Sequence, residues 1–214
     1  IQHTADKEVF SWSKVKNYLD YFHQTRSLAL WLVVLITFKI ADGLAGPLLK
    51  PLMVDLGLTF SQIGIYVTML GALAALIGAG LAGLSLKYIS RANALLGFSV
   101  LKILSLTAFA WLAFQYEAQQ PIKPWLIYLI NAAEDMISAM LLVVMLTLVM
   151  QYSRKHVAGT DFTFQVALMA TVSGGLYSLS GILGDFLGYA DYLLLISLIA
   201  VICLFPIVRW KSTL

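Results

Sequence analysis

Five ionisable side chains lie inside long apolar stretches of this sequence, where charge is uncommon. They are Lys39, Asp42, Lys102, Glu134 and Asp135. If each stretch crosses a membrane as a helix, a rise of about 1.5 Å per residue places Lys39, Lys102 and Glu134 near the midplane. A charge at that depth costs at least about 2.5–3.5 kcal/mol, and such groups usually pair, line a water-filled path or relay protons.

The spacing of these charges supports two interpretations. Lys39 and Asp42, three residues apart, share a helix face and can partly neutralise each other. Lys102 can pair with Glu134 across a helical hairpin. In the first interpretation the charges only fix helix register, and we favour this role for Lys102. In the second, Lys39, Asp42 and the two adjacent acids contact a solute or protons, because four ionisable groups on two helices exceed what register requires.

Other polar residues extend these groups into candidate binding positions. Asn131, Asp135 and Ser138 form a polar stripe on one helix, and Gln165 lies just inside a later apolar block. Two adjacent carboxylates do not easily both ionise in a low dielectric, so we predict that one of Glu134 and Asp135 holds a proton near neutral pH. Both are candidates for proton coupling, and we favour Asp135. The predicted solute cavity is lined by Lys39, Asp42, Asn131, Ser138 and Gln165.

These positions require six membrane-spanning helices. The 214 residues are 60% hydrophobic and 12% charged, against about 25% charged in soluble domains, and the mean hydropathy is +0.86. Six blocks approach or exceed the ~18–20 apolar residues that cross a bilayer. The predicted fold is an all-α membrane protein, a six-helix bundle over residues 28–210 with a tail at 211–214. Spans 1 to 6 are predicted at about residues 28–53, 60–88, 92–116, 125–152, 160–184 and 192–210.

Residues 1–27 form a polar lead, with apolar residues at helical spacing between positions 9 and 22. This spacing predicts an amphipathic helix. One interpretation places the helix on the cytoplasmic membrane surface. The other packs it as a linker against the cytoplasmic ends of the bundle, and both fit the spacing equally well.

Prolines and small residues predict where helices bend or approach closely. Gly43, Gly46 and Pro47 fall late in span 1, where proline removes a helical hydrogen bond, so we predict a hinge that gates the cavity. Spans 2 and 5 carry stripes of small residues that would let membrane helices pack closely. The stripes comprise Gly71, Ala75, Gly78, Ala79 and Ala82 in span 2, and Gly174, Ser178 and Gly181 in span 5.

The basic residues predict the orientation. Ten of them lie before span 1, between spans 2 and 3, between spans 4 and 5, or after span 6, whereas only Lys50 and Lys123 lie on the other side. Because basic loops stay in the cytoplasm, both ends of this chain are predicted to be cytoplasmic. This distribution argues against a nucleic-acid partner, which needs basic residues on one soluble face.

The sequence lacks patterns typical of an enzyme or a metal site. It has no HExxH, CxxC or GxxxxGKS/T motif, and its three histidines are scattered outside the spans. We therefore predict no enzymatic activity, no catalytic residue, no cofactor and no metal site. The single cysteine, Cys203, is predicted to pack as a small side chain.

Several segments resemble the C-terminal half of a major facilitator superfamily transporter. Residues 38–42 (FKIAD) are similar to the aromatic-Lys-x-x-Asp motif of AmpG-like muropeptide permeases, and residues 51–59 (PLMVDLGLT) and 62–64 (QIG) also fit that group. Residues 83–91 (GLSLKYISR) resemble the superfamily signature G-x-x-x-D-R-x-G-R, from which Lys87 and Ser90 depart. Residues 159–165 (GTDFTFQ) look more like related siderophore importers of the rhizobactin and pyochelin type.

The resemblance implies a fold of twelve helices, six from this chain and six from an N-terminal half of the same transporter. It also implies that the solute binds between the halves at the midplane. Spans 1, 2, 4 and 5 would then line the cavity, with spans 3 and 6 as support. Lys102, on span 3, would be poorly placed to contact a solute.

We therefore expect a proton-coupled secondary transporter that moves an amphipathic, peptide-like solute, such as a muropeptide or a siderophore, across the bacterial inner membrane. Its expected partners are the solute, protons, the lipid bilayer and the N-terminal half, and the chain is expected to be part of a longer protein. The alternative is a self-contained six-span protein that forms an oligomeric pore or a non-transporting scaffold.

Thiol labelling of whole cells with a membrane-impermeant reagent tests the orientation. In a Cys203→Ser background, Gln119→Cys should be labelled from the periplasm, whereas Lys155→Cys should be labelled only after the cells are opened, because the basic loops stay inside. The reverse pattern would contradict the predicted orientation and the assignment to a C-terminal half.

Overall fold

The structure, a computed structural model, describes residues 20–214. Six of its helices are long and apolar enough to cross a membrane, and no β-strand occurs among the described residues. The predicted all-α class with six spans is confirmed, and the chain is a multi-pass membrane protein. Spans 1 to 6 are Arg26–Asp55, Phe60–Ser85, Arg91–Glu117, Pro124–Gln151, Lys155–Leu187 and Tyr189–Lys211.

Span 1 is broken at Lys39, which separates a first half, Arg26–Phe38, from a second half, Ile40–Asp55. The charges at the break suit the dipoles of the two helices. Lys39 lies at the C-terminal end of the first half, where partial negative charge accumulates, and Asp42 lies in the first turn of the second half. The break therefore coincides with the predicted pair of charges.

Two other spans depart from regular α-helix. Span 2 contains a π-helix at Ile63–Met69, a form that is rare and often marks functional sites. Span 6 is broken at Cys203, and the nearby Pro206 has no N–H to donate to the Ile202 carbonyl. Of the seven residues of the π-helix only Val67 is buried, and Cys203 is half-buried, so both irregular segments lie at the side of the bundle rather than at its centre.

Close helix crossings hold the bundle together. Span 2 packs along span 4, the second half of span 1 packs along span 5, and span 3 packs along spans 4 and 6. A side chain at Gly78 would overlap the main-chain carbonyl of Met136 in span 4, and a methyl group at Gly43 would lie 2.8 Å from the Ser173 carbonyl oxygen in span 5. Both crossings therefore bring backbone against backbone, as small residues allow.

The predicted packing stripe of span 5 does not contact another span of this chain. A methyl group at Gly174 or Gly181 would have no atom within 4 Å, whereas Ser173 and Gly184 lie against span 1. The contact of span 5 with span 1 therefore uses a different face from the predicted stripe, and a packing role for the stripe remains a prediction. Span 5 is the least buried of the six spans, followed by span 2, so each of these spans leaves a broad face exposed.

The buried apolar side chains form two clusters at different depths, and the charged residues lie between them. In span 3, Phe98 belongs to one cluster and Leu106 to the other, with Lys102 between them. In span 4, Glu134 holds the corresponding position. A polar layer therefore crosses the bundle at mid-depth.

The lead is described only from residue 20 onward, so most of its predicted amphipathic helix lies outside the described residues. Phe22 is buried and stacks on Phe164 with ring centroids 6.4 Å apart. The Tyr21 hydroxyl donates a hydrogen bond of 3.3 Å to the Tyr152 carbonyl oxygen. This end of the lead packs against the bundle, which favours the linker interpretation.

Replacing Gly78 tests the crossing of spans 2 and 4. Gly78→Ala should lower the free energy of unfolding by roughly 1–3 kcal/mol, because the added methyl group forces the two backbones apart. Gly80→Ala is the matched control, since the same methyl group there meets no atom within 4 Å. Equal thermal stability of the two variants in detergent would contradict the crossing.

Candidate functional site

Lys102 of span 3 lies at the centre of the polar layer. Its ammonium is 2.9 Å from a carboxylate oxygen of Asp42 in span 1, and it also pairs with the carboxylate of Glu134 in span 4. It donates a hydrogen bond of 2.6 Å to the Ser138 hydroxyl. The Lys102 side chain is only 9% exposed, so one buried cation joins three spans.

Asp42 is shared between two cations. Its second carboxylate oxygen lies 2.7 Å from the Lys39 ammonium, so Asp42 bridges Lys39 and Lys102. The Lys39 ammonium also lies 5.5 Å from the centroid of the Phe38 ring, within cation–π range. We call Lys39, Asp42, Lys102, Glu134 and Ser138 the ion cluster. With two cations and two carboxylates, the cluster as a whole carries no net charge when all four groups are ionised.

The ion cluster is partly as predicted. The pairs of Lys39 with Asp42 and of Lys102 with Glu134 were both anticipated, but the contact between Lys102 and Asp42 was not. That contact depends on how spans 1 and 3 meet, and no spacing within either span encodes it. Lys102 therefore lies in the candidate site, although span 3 was expected only to support it.

The residues of the predicted polar stripe on span 4 form hydrogen bonds in two separate groups. Ser138 donates to Glu134 at 3.0 Å and accepts from Lys102, so it belongs to the ion cluster. Asn131 donates at 2.8 Å to Asp135. Ser138 thus hydrogen-bonds with Glu134 and Lys102 rather than with Asp135, and its role in binding a solute remains a prediction.

Two cavities border the ion cluster. A cleft of about 200 Å3 is lined by Asp42, Gly46, Lys102, Glu134 and Ser138. A smaller cavity of about 40 Å3 also borders Asp42 and Lys102, and its walls include Phe38, beside the break in span 1, and Cys203, at the break in span 6. The breaks in spans 1 and 6 therefore lie next to the same ion cluster.

Asp135 faces a separate space, which we call the Asp135 cleft. This cleft of about 230 Å3 lies between spans 1, 2 and 4, and its lining includes Lys50, Thr68, Gly71, Asn131 and Asp135. A side chain at Gly71 would overlap the Asp135 carboxylate, so glycine is needed for that carboxylate to lie against span 2. Lys50 is a candidate that the sequence reasoning missed, because it was counted only as a residue of the outer loop side.

Asn131 ties Asp135 to the π-helix of span 2. Its amide nitrogen donates to Asp135 and, at 3.3 Å, to the carbonyl oxygen of Val67. Asn131 therefore holds the Asp135 carboxylate beside the π-helix of span 2.

Gln165 was predicted to line the cavity, and the structure places it elsewhere. It is fully buried, and its oxygen accepts a hydrogen bond of 2.8 Å from the Trp31 indole. Its nitrogen donates to the carbonyl oxygens of Val149 and Asp161 and to the Ser153 hydroxyl. Gln165 therefore joins spans 1, 4 and 5 in the packed interior and lines neither the cleft at the ion cluster nor the Asp135 cleft.

The predicted hinge also differs from the structure. Span 1 is broken at Lys39, and its second half runs unbroken through Pro47. Gly43 lies in close contact with Ser173, whereas Gly46 is exposed, with no atom nearer than 3.8 Å to an added methyl group. Close packing holds the helix at Gly43, so the interruption falls at the charged residues instead. A gating role for these residues remains a prediction.

The described residues contain no group of three or more His, Cys, Asp or Glu side chains that could hold a metal ion. The arrangement can bind a charged or polar solute, because it combines a neutral, shared ion cluster with a half-buried carboxylate beside open space. It can also exchange protons, since carboxylates lie next to clefts at membrane depth.

Comparison with known proteins gives a coarse placement. The chain is similar to two curated proteins named "Putative transporter AmpG 4", from Rickettsia felis and Rickettsia conorii. Each is 27% identical over 109 residues, which is 50% of this chain. The match spans only 26% of each relative's own length.

No family model matches this chain, and no solved structure matches it. The predicted resemblance to AmpG-like transporters is supported in part by these two relatives. The predicted resemblance to siderophore importers remains a prediction.

Replacing Lys102 tests the ion cluster. Lys102→Met should lower the free energy of unfolding by about 3–5 kcal/mol, because it leaves Glu134 without a cation and Asp42 with only Lys39. Lys39→Met is the matched control and should cost about 1 kcal/mol or less, since Lys39 is more exposed and Lys102 still neutralises Asp42.

The double variant Lys102→Met, Glu134→Gln should recover part of the loss, because it removes the unpaired carboxylate along with the cation. Thermal unfolding in detergent measures all three variants. A Lys102→Met protein as stable as the Lys39→Met protein would contradict the shared role of Lys102.

Proposed function

We propose that this chain is one half of a proton-coupled secondary transporter of the major facilitator type, located in the bacterial inner membrane with both chain ends in the cytoplasm. Its solute is an amphipathic, peptide-like molecule such as a muropeptide or a siderophore. The observation that carries the proposal is the polar layer at mid-depth, in which charged side chains of spans 1, 3 and 4 border clefts. Charged groups in that position are typical of solute and proton pathways.

The packing scheme of the six spans also supports a transporter half. Spans 1, 2 and 3 can be matched in order with spans 4, 5 and 6. The crossing of spans 2 and 4 then corresponds to the crossing of spans 5 and 1, and the crossing of spans 3 and 6 corresponds to itself. The bundle thus has the contact pattern of two three-span repeats. Nested three-span repeats are a feature of each half of major facilitator transporters.

The exposed faces of spans 2 and 5 fit the expected N-terminal half. These are the two least buried spans, and a methyl group at Gly174 or Gly181 in the stripe of span 5 would meet no atom of the described residues within 4 Å. Small residues allow close approach of membrane helices. On this proposal the second half packs against these faces, and the Asp135 cleft opens toward the space between the halves.

Proton coupling is assigned to the acidic pair on span 4, with Asp135 as the main residue. Glu134 is held by Lys102 and Ser138, so a change in its charge would disturb the ion cluster. Asp135 has Asn131 as its hydrogen-bond partner and borders open space. Asp135 is therefore the carboxyl group that can gain and lose a proton with the least change in the structure around it.

Replacing Asp135 tests this assignment. Asp135→Asn should abolish pH-dependent uphill accumulation of solute but retain exchange of solute down its gradient, because only the coupling group is lost. Glu134→Gln should have a weaker effect on coupling, and Lys39→Ala should weaken solute binding. Asp191→Asn, at an exposed position, is the control. Full uphill transport with normal pH dependence in Asp135→Asn would contradict the assignment.

Uptake by whole cells tests the function itself. Cells that express the complete protein are supplied with a labelled muropeptide or a labelled siderophore, with and without a protonophore. The proposal predicts accumulation of one of these solutes above its external concentration and loss of that accumulation with the protonophore. Equilibration without accumulation, insensitive to the protonophore, would indicate a pore instead.

A further inference from the structure

The Asp135 cleft contains two groups of opposite charge that do not touch. Lys50 comes from the second half of span 1 and Asp135 from span 4, and both line the same space of about 230 Å3. Among the described residues, no carboxylate lies within salt-bridge distance of the Lys50 ammonium. The cation is therefore available to a group that enters the cleft.

The size of the cleft limits what it can take. Pockets for drug-sized ligands measure roughly 300–1,000 Å3, so this space suits a small end group rather than a whole solute. Most of the lining is uncharged or apolar, from Val67 to Ala75 of span 2, with Asn131 engaged by Asp135 and by the π-helix. Lys50 is thus the cation that can bind a group entering the cleft.

We propose that the Asp135 cleft binds a carboxylate group of the solute, with Lys50 as its cationic anchor, and that Asp135 takes up a proton when the carboxylate binds. This role rests on the proposed transport function, of which it specifies the solute class and the coupling step. The carboxylate forms an ion pair with the Lys50 ammonium. The proton comes from water and adds to an oxygen of Asp135, so no bond of the solute is made or broken.

Charge balance in the cleft explains why the two events go together. The empty cleft carries one cation and one carboxylate. A second carboxylate in the same small space would repel the first, and protonation of Asp135 removes that repulsion. Solute and proton therefore favour each other's binding, and the coupling is reciprocal.

Other charged groups near Asp135 do not replace this pairing. On its own span it adjoins Glu134, whose side chain is within hydrogen-bonding distance of it, and Lys102 of span 3 also acts on it through space. These two residues form an ion pair with each other. Span 2 presents Thr68 and Gly71 to the cleft, neither of which is charged, and span 1 presents Lys50.

Calorimetry on the complete protein in lipid nanodiscs tests the proposal without any gradient. The probes are N-acetyl-alanyl-alanine, which has a carboxylate, and its C-terminal amide, which does not. The wild-type protein should bind the acid at least about tenfold more tightly than the amide. Titrations in two buffers of different ionisation enthalpy should show uptake of about one proton per bound acid, as reciprocal coupling requires.

The variants separate the two roles. Lys50→Met should remove the preference for the acid, Lys50→Arg should keep it, and Lys123→Met, outside the cleft, should leave it unchanged. Asp135→Asn should still bind the acid but without proton uptake. Absence of acid binding by the wild type, equal binding of acid and amide, or an unchanged preference in Lys50→Met would overturn the proposal.

Failure of the carboxylate site can be distinguished from failure of the transport function. If the acid binds with proton uptake but reconstituted vesicles translocate no solute, the transport function fails while the carboxylate site stands. If cells accumulate solute but acid and amide bind equally, the carboxylate site fails while the transport function stands.

Discussion

The structure depends on one shared cation in the interior of a membrane-embedded bundle. A lone ammonium at that depth would be costly, and Lys102 avoids the cost by contacting Asp42 of span 1 and Glu134 of span 4. Because the two carboxylates come from different spans, their positions relative to span 3 are fixed by a single side chain. The apolar clusters lie on either side of this layer, so the ion pairs of Lys102 stabilise the region where the two clusters join.

The break in span 1 lies within the same cluster. It places Lys39 at the C-terminal end of the first half and Asp42 in the first turn of the second half, where each charge suits the helix dipole. Close packing at Gly43 against span 5 then holds the second half of span 1 in place. The outcome is a neutral ion cluster inside the bundle and, beside it, an open cleft where Asp135 and Lys50 face each other without contact.

This separation divides structural and chemical roles between neighbouring residues. Glu134 and Asp135 are adjacent in the chain, yet Glu134 pairs with Lys102 whereas Asp135 accepts a hydrogen bond from Asn131 and forms no ion pair with any described residue. A half-buried carboxylate with space around it can change its charge while the ion cluster stays intact. On the proposed function, the cluster keeps the spans in register while the cleft binds solute and proton.

The sequence was sufficient for the elements and for contacts within one span or one hairpin. Six apolar blocks gave six spans, and spacing anticipated the pairs of Lys39 with Asp42 and of Lys102 with Glu134. The sequence did not predict contacts between distant spans. The contact of Lys102 with Asp42 and the placement of Lys50 and Asp135 in one cleft both depend on how the helices cross. The placement of Gln165 was missed for a similar reason. A polar residue at membrane depth suggests a cavity, but here the Trp31 indole donates a hydrogen bond to the Gln165 side chain in the packed interior.

A double-mutant cycle between Asp42 and Lys102 measures the central interaction directly. The free energy of unfolding is determined for the wild type, Asp42→Asn, Lys102→Met and the double variant. If the two side chains are in contact in the folded protein, the stability losses of the two single variants should add up to more than the loss of the double variant. The difference, which is the coupling energy, should be at least about 1 kcal/mol. Additive losses, with no coupling between the two positions, would contradict the account.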